Sequence, residues 1–306
     1  MKVVSVINYK GGVGKTTLTA NLGAYAASVG KRVLMIDLDP QSNLTFNFIA
    51  PSDWAERYSG KMTLKNCFDP VTKDNANEIM PLSEVIISAR ADDKTLDIIS
   101  SHLDLIETDM ELAAIATVAP NIQGLARNAL RVYSYLRNGL YELRNNYDLV
   151  MIDCPPNFYT LVKNAIVASD YYIVPAKLDY LSTLGTENLQ VGLEKFLTEY
   201  DEYRKICKEK PYQPVFISEL GVVPIMVEYS KGDTLLKTMA AFEDELRKKH
   251  YIFTRIRNNA SVFGSAPKIG LPVVLTTPRF LFSSTHKKIK AELQQLGQEF
   301  INKLEI

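Results

Sequence analysis

The chain has 306 residues, 46% of them hydrophobic and 23% charged, with 35 Lys plus Arg balanced by 35 Asp plus Glu. That size supports a substantial core, and the composition excludes wholly disordered and fibrous classes. With zero formal net charge, any affinity for nucleic acid has to come from a local basic patch.

Cys67, Cys154 and Cys207 are odd in number and widely spaced, which fits neither a disulfide framework nor a zinc knuckle. A reducing cytoplasm is the expected setting. No apolar run approaches the roughly 18 residues of a membrane span, and the chain opens directly on an apolar strand. The expectation is a soluble, unexported protein. Alternating strand and helix patterns favour one large α/β domain over residues 1–306.

Residues 2 to 8 are β-branched and apolar, as suits a strand buried on both faces of a parallel sheet. The turn Lys10-Gly11-Gly12-Val13-Gly14-Lys15-Thr16-Thr17 follows. Its three glycines let backbone N–H groups converge on phosphate oxygens, and a helix predicted over Gly14 to Val29 points its positive end at the same anion. Lys15 can reach β- and γ-phosphates, and the Thr16 hydroxyl can ligate Mg²⁺. Gly30 closes the helix, and Val33 to Ile36 form the next strand. Asp37 and Asp39 stand at its C-terminal end, where open parallel sheets place their ligands. Asp39 is a candidate switch carboxylate; before Pro40 it also suits a plain turn former.

The usual pattern G-x-x-x-x-G-K-[ST] would have a glycine where Tyr9 stands, and Lys10 adds a second lysine. The variant xKGGxGKT[ST], with DLDPQ at Asp37 to Gln41, resembles the deviant Walker A ATPases of the ParA/MinD superfamily, most closely the ParA (Soj-like) branch. The resemblance implies a P-loop NTPase fold, a doubly wound and mostly parallel sheet flanked by helices, with ATP and Mg²⁺ as cofactors. It also implies a homodimer with ATP, in which Lys10 touches the partner's phosphates. Asp39 would then position the attacking water and help hold Mg²⁺.

Residues 50 to 95 lack a long periodic segment and read as a lobe of short helices and loops. The following LDIISSHLDLIETDMELA resembles a strand and helix of ParA proteins. Asn121 to Arg144 is expected to be one amphipathic helix with Arg127, Arg131, Arg137 and Arg144 on a solvated face. Tyr147 to Pro156 reads as an apolar strand ending in Asp153, the carboxylate a Walker B strand needs for its hold on Mg²⁺. By the resemblance, Cys154, Pro155 and Pro156 start the second switch. Cys154 itself reads as a small buried residue, with no His nearby to activate it.

A strand at Asp170 to Val174 leads into PAKLDYLSTLG, similar to a segment on the dimer side of the family fold, and a helix runs to about Tyr203. Residues 215 to 227 resemble the strand after which ParA relatives contact adenine, placing Pro224 to Tyr229 beside the base; a plain buried strand accounts for the same letters. Thr254 to Pro278 is similar to the C-terminal ParA signature, in which S-x-A-P precedes a glycine and a P-V strand. Relatives carry DNA-binding arginines before that core, whereas this chain has Asn258 and Asn259, with Arg255 and Arg257 slightly upstream.

Arg247, Lys248, Lys249, His250, Arg255 and Arg257 form the densest cationic cluster, and Lys287, Lys288 and Lys290 a second. Both could face DNA phosphates, and both could be solvated faces. In the tail, Ile289, Leu293, Leu296, Phe300 and Leu304 share one helical face. A helix packed on the sheet is the expected reading, against the membrane-lying helix that ends MinD relatives.

The resulting expectation is a ParA-like ATPase that positions or segregates a cargo, partnered by a ParB-like or cargo adaptor that stimulates hydrolysis. The glycines, Val13, Lys15, Thr16 and Thr17 bind the nucleotide; Thr16, Asp39 and Asp153 hold the metal; Lys10, Lys15, Asp39 and Asp153 serve hydrolysis. Rival expectations are a MinD-type membrane-cycling ATPase, a metabolic or redox superfamily member and a nucleotide-binding scaffold without turnover.

Overall fold

The computed structural model describes residues 1–72, 80–89, 96–207, 212–230, 233–277 and 283–306, with backbone alone for 265–269. Parts of the 50–95 lobe, Pro278 and the side chains of Ser265, Ala266 and Pro267 therefore lie outside the described residues.

In chain order the strands are β1 (Lys2–Val6), β2 (Val33–Asp37), β3 (Ile87–Ser88), β4 (Leu96–Ile99), β5 (Leu149–Asp153), β6 (Tyr171–Ala176), β7 (Ser218–Pro224), β8 (Tyr229–Ser230) and β9 (Thr234–Leu235). The helices are α1 (Lys15–Ser28), α2 (Pro51–Arg57), α3 (Leu64–Thr72), α4 (Leu105–Thr117), α5 (Ile122–Tyr133), α6 (Tyr135–Glu142), α7 (Thr160–Ala168), α8 (Tyr180–Ile206), α9 (Lys237–Arg247), α10 (Ala260–Ile269) and α11 (Ser284–Leu304). Seven strands make one sheet in the order β3-β4-β2-β5-β1-β6-β7. Neighbours are parallel except β3, which runs antiparallel on β4. β1, β2 and β5 are almost wholly buried apolar runs, as strands covered by helices on both faces must be. Their register aligns Val6, Asp37 and Asp153 at one level, so three chain segments end together at the carboxyl edge of the sheet.

Two buried clusters cover the sheet faces. One of them joins α1 to α11: Ile289, Leu293, Leu296, Phe300 and Leu304 are each at most 3% exposed. A Cβ at Gly297 would come within 2.4 Å of the Tyr25 ring, so only glycine lets the two helices approach this closely. The Tyr25 hydroxyl also donates to Gln298 Oε1 at 3.0 Å. The apolar face of the tail is thus consumed by packing, as expected. No described helix is long and apolar enough to cross a membrane.

Two elements differ from expectation. The helix expected over Asn121 to Arg144 is two helices, α5 and α6, which meet at Ser134. There the Ser134 hydroxyl shares a 2.8 Å hydrogen bond with Tyr200, and the Leu136 N–H donates to Asn164 Oδ1 at 3.2 Å, so side chains of α8 and α7 redirect the chain. Its basic face is partly spent too, with Arg137 donating to the carbonyls of Gln213 and Pro214. The P-V strand expected after the S-x-A-P core is a single short turn, Val273–Leu275, held by Asn21 Oδ1 accepting from the Val274 N–H. Within residues 50 to 95 the described part holds the short helices α2 and α3.

Candidate functional site

The turn between β1 and α1 is built by local backbone geometry. Gly12 and Gly14 have φ of 67° and 73°, in the left-handed region that favours glycine. Gly14 is the N-cap of α1, and no side chain caps that end. The first turn of the helix carries no carboxylate. Its N–H groups and positive end are therefore offered to an anion. Gly11 and Gly12 are exposed, whereas Val13 is fully buried and anchors the loop in the core. Tyr9, standing where the usual pattern has glycine, stacks edge-on against Phe158, 5.4 Å between centroids, and so ties the loop to the segment following β5.

Lys15 is 6% exposed and donates to the carbonyls of Asn8 and Lys10 at 3.1 and 3.2 Å. Burial lowers its pKa, opposed by the negative charge of Asp153, so an anion that restores the charge balance is favoured here. The Thr16 hydroxyl donates to Asp153 Oδ2 at 2.7 Å, and the Thr19 hydroxyl to Oδ1 at 3.2 Å. Asp153 is fully buried, and burial raises its pKa against the pull of both hydroxyls and Lys15. A carboxylate and a hydroxyl in direct contact beside a phosphate-sized anion site suit Mg²⁺, which takes one or two carboxylates and completes its shell with phosphate and water. ATP with Mg²⁺ therefore fits the donor set. Burial also raises the Cys154 thiol, which matches its reading as an inert core residue.

Asp39 lies two residues beyond the end of β2, half-buried, accepting from the Gln41 N–H at 3.0 Å as a turn former does. Its position is set by Asp37 together with Thr45 and Ser101, the last two of which sequence patterns did not single out. Asp37, fully buried, accepts from the Thr45 N–H and hydroxyl at 2.8 and 2.7 Å and from the Asp39 N–H at 3.2 Å. Ser101 donates its hydroxyl to the Asp39 carbonyl at 2.7 Å and its N–H to Thr45 Oγ1. Burial drives the Asp37 carboxyl well above the usual range.

Lys10 points away from the loop. Its Nζ lies 3.2 Å from Asp179 Oδ2 and 3.3 Å from Ser182 Oγ, at the N-terminus of α8. Of the expected site residues, Thr16 and Asp153 are in direct contact and Lys15 is held by the loop's own carbonyls, whereas Asp39 sits on the loop after β2 and the Lys10 side chain is engaged with α8.

Beside the first turn of α1 opens a mostly apolar cavity of about 130 Å³, lined among others by Gly14, Thr17, Ile225, Met226, Asn258 and Phe263. In the segment Pro224 to Tyr229, expected beside the base, Pro224 ends β7 with its carbonyl accepting from the Ile256 N–H, and the next two residues line this cavity. Met226 is held at φ 53°, a costly left-handed conformation for a side-chain-bearing residue. Asn258 and Asn259, set apart in the sequence only as departures from a DNA-binding pattern, line this cavity. No local pattern could place them there, because the cavity forms from segments far apart in the chain.

The basic cluster is largely neutralised. Glu243, 2% exposed in its side chain, accepts from Arg247 and from Arg255, both with contacts at 2.5 Å. Lys249 pairs with Glu187, Arg257 with Glu292 and Asp233, and Lys288 with Asp233. His250 bonds Glu219 at 2.7 Å.

A family model described as an AAA domain matches residues 1–206. The sporulation initiation inhibitor protein Soj of Bacillus subtilis is 31% identical over 188 residues, 61% of this chain and 63% of that protein, so less than two thirds of its length is spanned. The chromosome-partitioning ATPase Soj of Treponema pallidum is 28% identical over 224 residues, 68% of this chain and 75% of that protein. The solved structure of a McdA variant from Cyanothece in complex with ATP superposes with a TM-score of 0.70 at 19% identity, covering 100% of this chain and 97% of that one. At that identity the likeness is one of fold.

Proposed function

Because this chain belongs to the AAA-domain family in its ParA/MinD-type branch, a family of P-loop ATPases, we propose that it binds ATP with Mg²⁺ at the β1–α1 turn and hydrolyses it. The ATP cycle then positions or segregates a cargo. One observation carries this reading: the Thr16 hydroxyl lies 2.7 Å from the buried Asp153 carboxylate, next to the uncapped start of α1 and the buried Lys15.

The N–H groups of Gly12 to Thr17 and the start of α1 bind the phosphates, and Lys15 leaves its two carbonyl acceptors to neutralise them. Bound Mg²⁺ would offset the charge that develops on the phosphate oxygens, held by Thr16 and Asp153 with Asp39 at its margin. Asp39 orients water for attack, on a loop that Asp37 and Ser101 hold from beneath. Lys10 acts in trans, completing the site of a second copy in an ATP-dependent homodimer.

The cargo is carried on DNA bound non-specifically through Arg247, Lys248, Lys249, Arg255 and Arg257. Their pairing with Glu243, Glu187, Glu292 and Asp233 limits the free positive charge, so a shallow salt dependence is expected, its slope set by only a few phosphate contacts. A ParB-like or cargo adaptor stimulates hydrolysis.

Phosphate release from ATP by the wild type and by Lys15→Ala tests the core of this reading: turnover lost in the variant supports it, and no wild-type turnover refutes it. DNA retention with ATP, with ADP and in Lys10→Ala, across a salt series, tests the carrier role, which fails if retention ignores nucleotide or salt.

A further inference from the structure

We propose that Glu292 and Glu299 of the C-terminal helix are positioning residues for the nucleotide base, acting through the 254–258 segment that walls the cavity beside the phosphate loop. The proposal rests on the ATP reading above and concerns how the base is held.

The wall has little regular structure of its own. Beyond the end of β7, the Val227 N–H donates to the Ile256 carbonyl at 3.0 Å and the Asn258 N–H to the Val227 carbonyl at 2.9 Å. The Ile256 N–H donates to the Pro224 carbonyl, Glu243 of α9 pairs with Arg255 and Asp233 with Arg257, and further hold comes from α11. Glu292 Oε2 accepts from the Arg257 N–H at 3.1 Å, and Oε1 takes the Arg257 guanidinium at 2.7 Å. Glu299 Oε2 accepts from the Thr254 N–H and hydroxyl at 2.9 and 3.0 Å, while Oε1 accepts from the Tyr251 hydroxyl at 2.6 Å. The two glutamates are seven positions apart, nearly two helical turns, so both stand on one face of α11. They grip the segment at two points, residues 254 and 257. Leu293, adjacent to Glu292, lines the cavity itself.

Each glutamate binds a backbone N–H as well as a side chain, which fixes the main chain in place and not only an arm reaching from it. The result is a set position for Asn258, which is exposed and whose side-chain amide has no hydrogen-bond partner among the described residues. An amide offers one acceptor and two donors, the complement of a purine edge. The cavity's apolar sides, Ile225, Met226 and Phe263, suit the faces of the ring. Arg257 cannot serve the base directly, because its guanidinium is 15% exposed and committed to Glu292 and Asp233.

A contact to the base stays the same while the terminal phosphate reacts, so weakening it raises Kd and KM and leaves kcat unchanged. Glu292→Gln, made in the full chain, keeps the shape and loses the charge. Its affinity for ATP should fall about tenfold, with affinity for inorganic tripolyphosphate, which has no base, held within about twofold. KM should rise with kcat within about twofold of wild type. Unchanged ATP affinity, or equal weakening toward both probes, overturns the proposal while the ATP reading survives. Wild-type protein that binds neither probe overturns both. Should Glu292→Gln fail to fold, Asn258→Ala decides the question on an exposed side chain. Selective loss of ATP over tripolyphosphate supports the clamped wall as a base contact, and no selectivity refutes it.

Discussion

Lys10 and Asp179 are joined within one chain, Nζ to Oδ2 at 3.2 Å, and the same carboxylate caps α8 by accepting from the Ser182 N–H at 2.7 Å. Both side chains are more than a third exposed. An ion pair so exposed contributes about 0–1 kcal/mol, which makes it a resting place that a stronger partner can empty. Lys10 is thus held away from the phosphate loop at little cost to its release.

Asp179→Ser separates the two roles of the carboxylate, because serine caps a helix as well as aspartate does and carries no charge. The ATP-dependent dimer should form at a protein concentration about twofold to fivefold lower than for wild type, the equivalent of the lost pair. Sedimentation velocity with ATP, in an Asp39→Ala background that prevents turnover, reads this directly. An unchanged dimer midpoint would show that the pair does not restrain Lys10.

Asp39→Ala should retain ATP and lose hydrolysis, with kcat falling about 100-fold or more, the scale of a missing general base or water-orienting group. Asp37→Asn should show a milder version, since it loosens the hold on Thr45 and the Asp39 N–H without touching the nucleotide. Single-turnover hydrolysis alongside equilibrium nucleotide binding distinguishes the two, and loss of binding in Asp39→Ala would contradict the assignment.

Asp109 on α4 caps a neighbouring helix, accepting from the Leu161 N–H of α7 at 2.8 Å, and burial pushes its pKa up to about 6. Between the usual carboxylate range and pH 6 the folded protein therefore binds a proton that the unfolded chain has released. Stability must fall as pH rises through that window and level off above it. Asp109→Asn, which cannot ionise and keeps the acceptor, should flatten the trend, gaining about 1–3 kcal/mol over wild type at pH 7.5 relative to pH 4.5. Urea denaturation at the two pH values provides the measurement, and parallel curves would refute the linkage.

Phe300→Ala should cost about 3–5 kcal/mol, since Phe300 is fully buried between α11 and the rest of the core. Deleting residues 286–306 should yield aggregated or unfolded protein, and the intact chain should not sediment with anionic liposomes in ATP. A folded, soluble truncation, or ATP-dependent liposome binding, would revive the membrane-cycling alternative.

Much of the fold was legible because its signals are local. The buried strands announce themselves as β-branched runs, α1 by its apolar spacing, and the glycine-rich turn by glycines at φ values near 70°, the left-handed region that favours glycine. Asp153 could be found by its place at the end of an apolar strand. The break at Ser134 was invisible in the periodicity, because the Tyr200 and Asn164 that redirect the chain there belong to other helices.

By itself, then, the sequence determined the glycine-rich turn before α1, the strand that faces it and the ParA/MinD-type family, all properties of short contiguous stretches whose chemistry depends on residue type and spacing. Tertiary structure decided where charges are spent and which walls close the cavity. Glu243 neutralises Arg255 from 12 residues away, Glu187 meets Lys249 across 62, and Glu292 holds Arg257 across 35. An arginine looks equally cationic in a list of letters whether or not a glutamate faces it. Only folding brings the two within the few ångströms at which desolvation and Coulomb attraction decide its role.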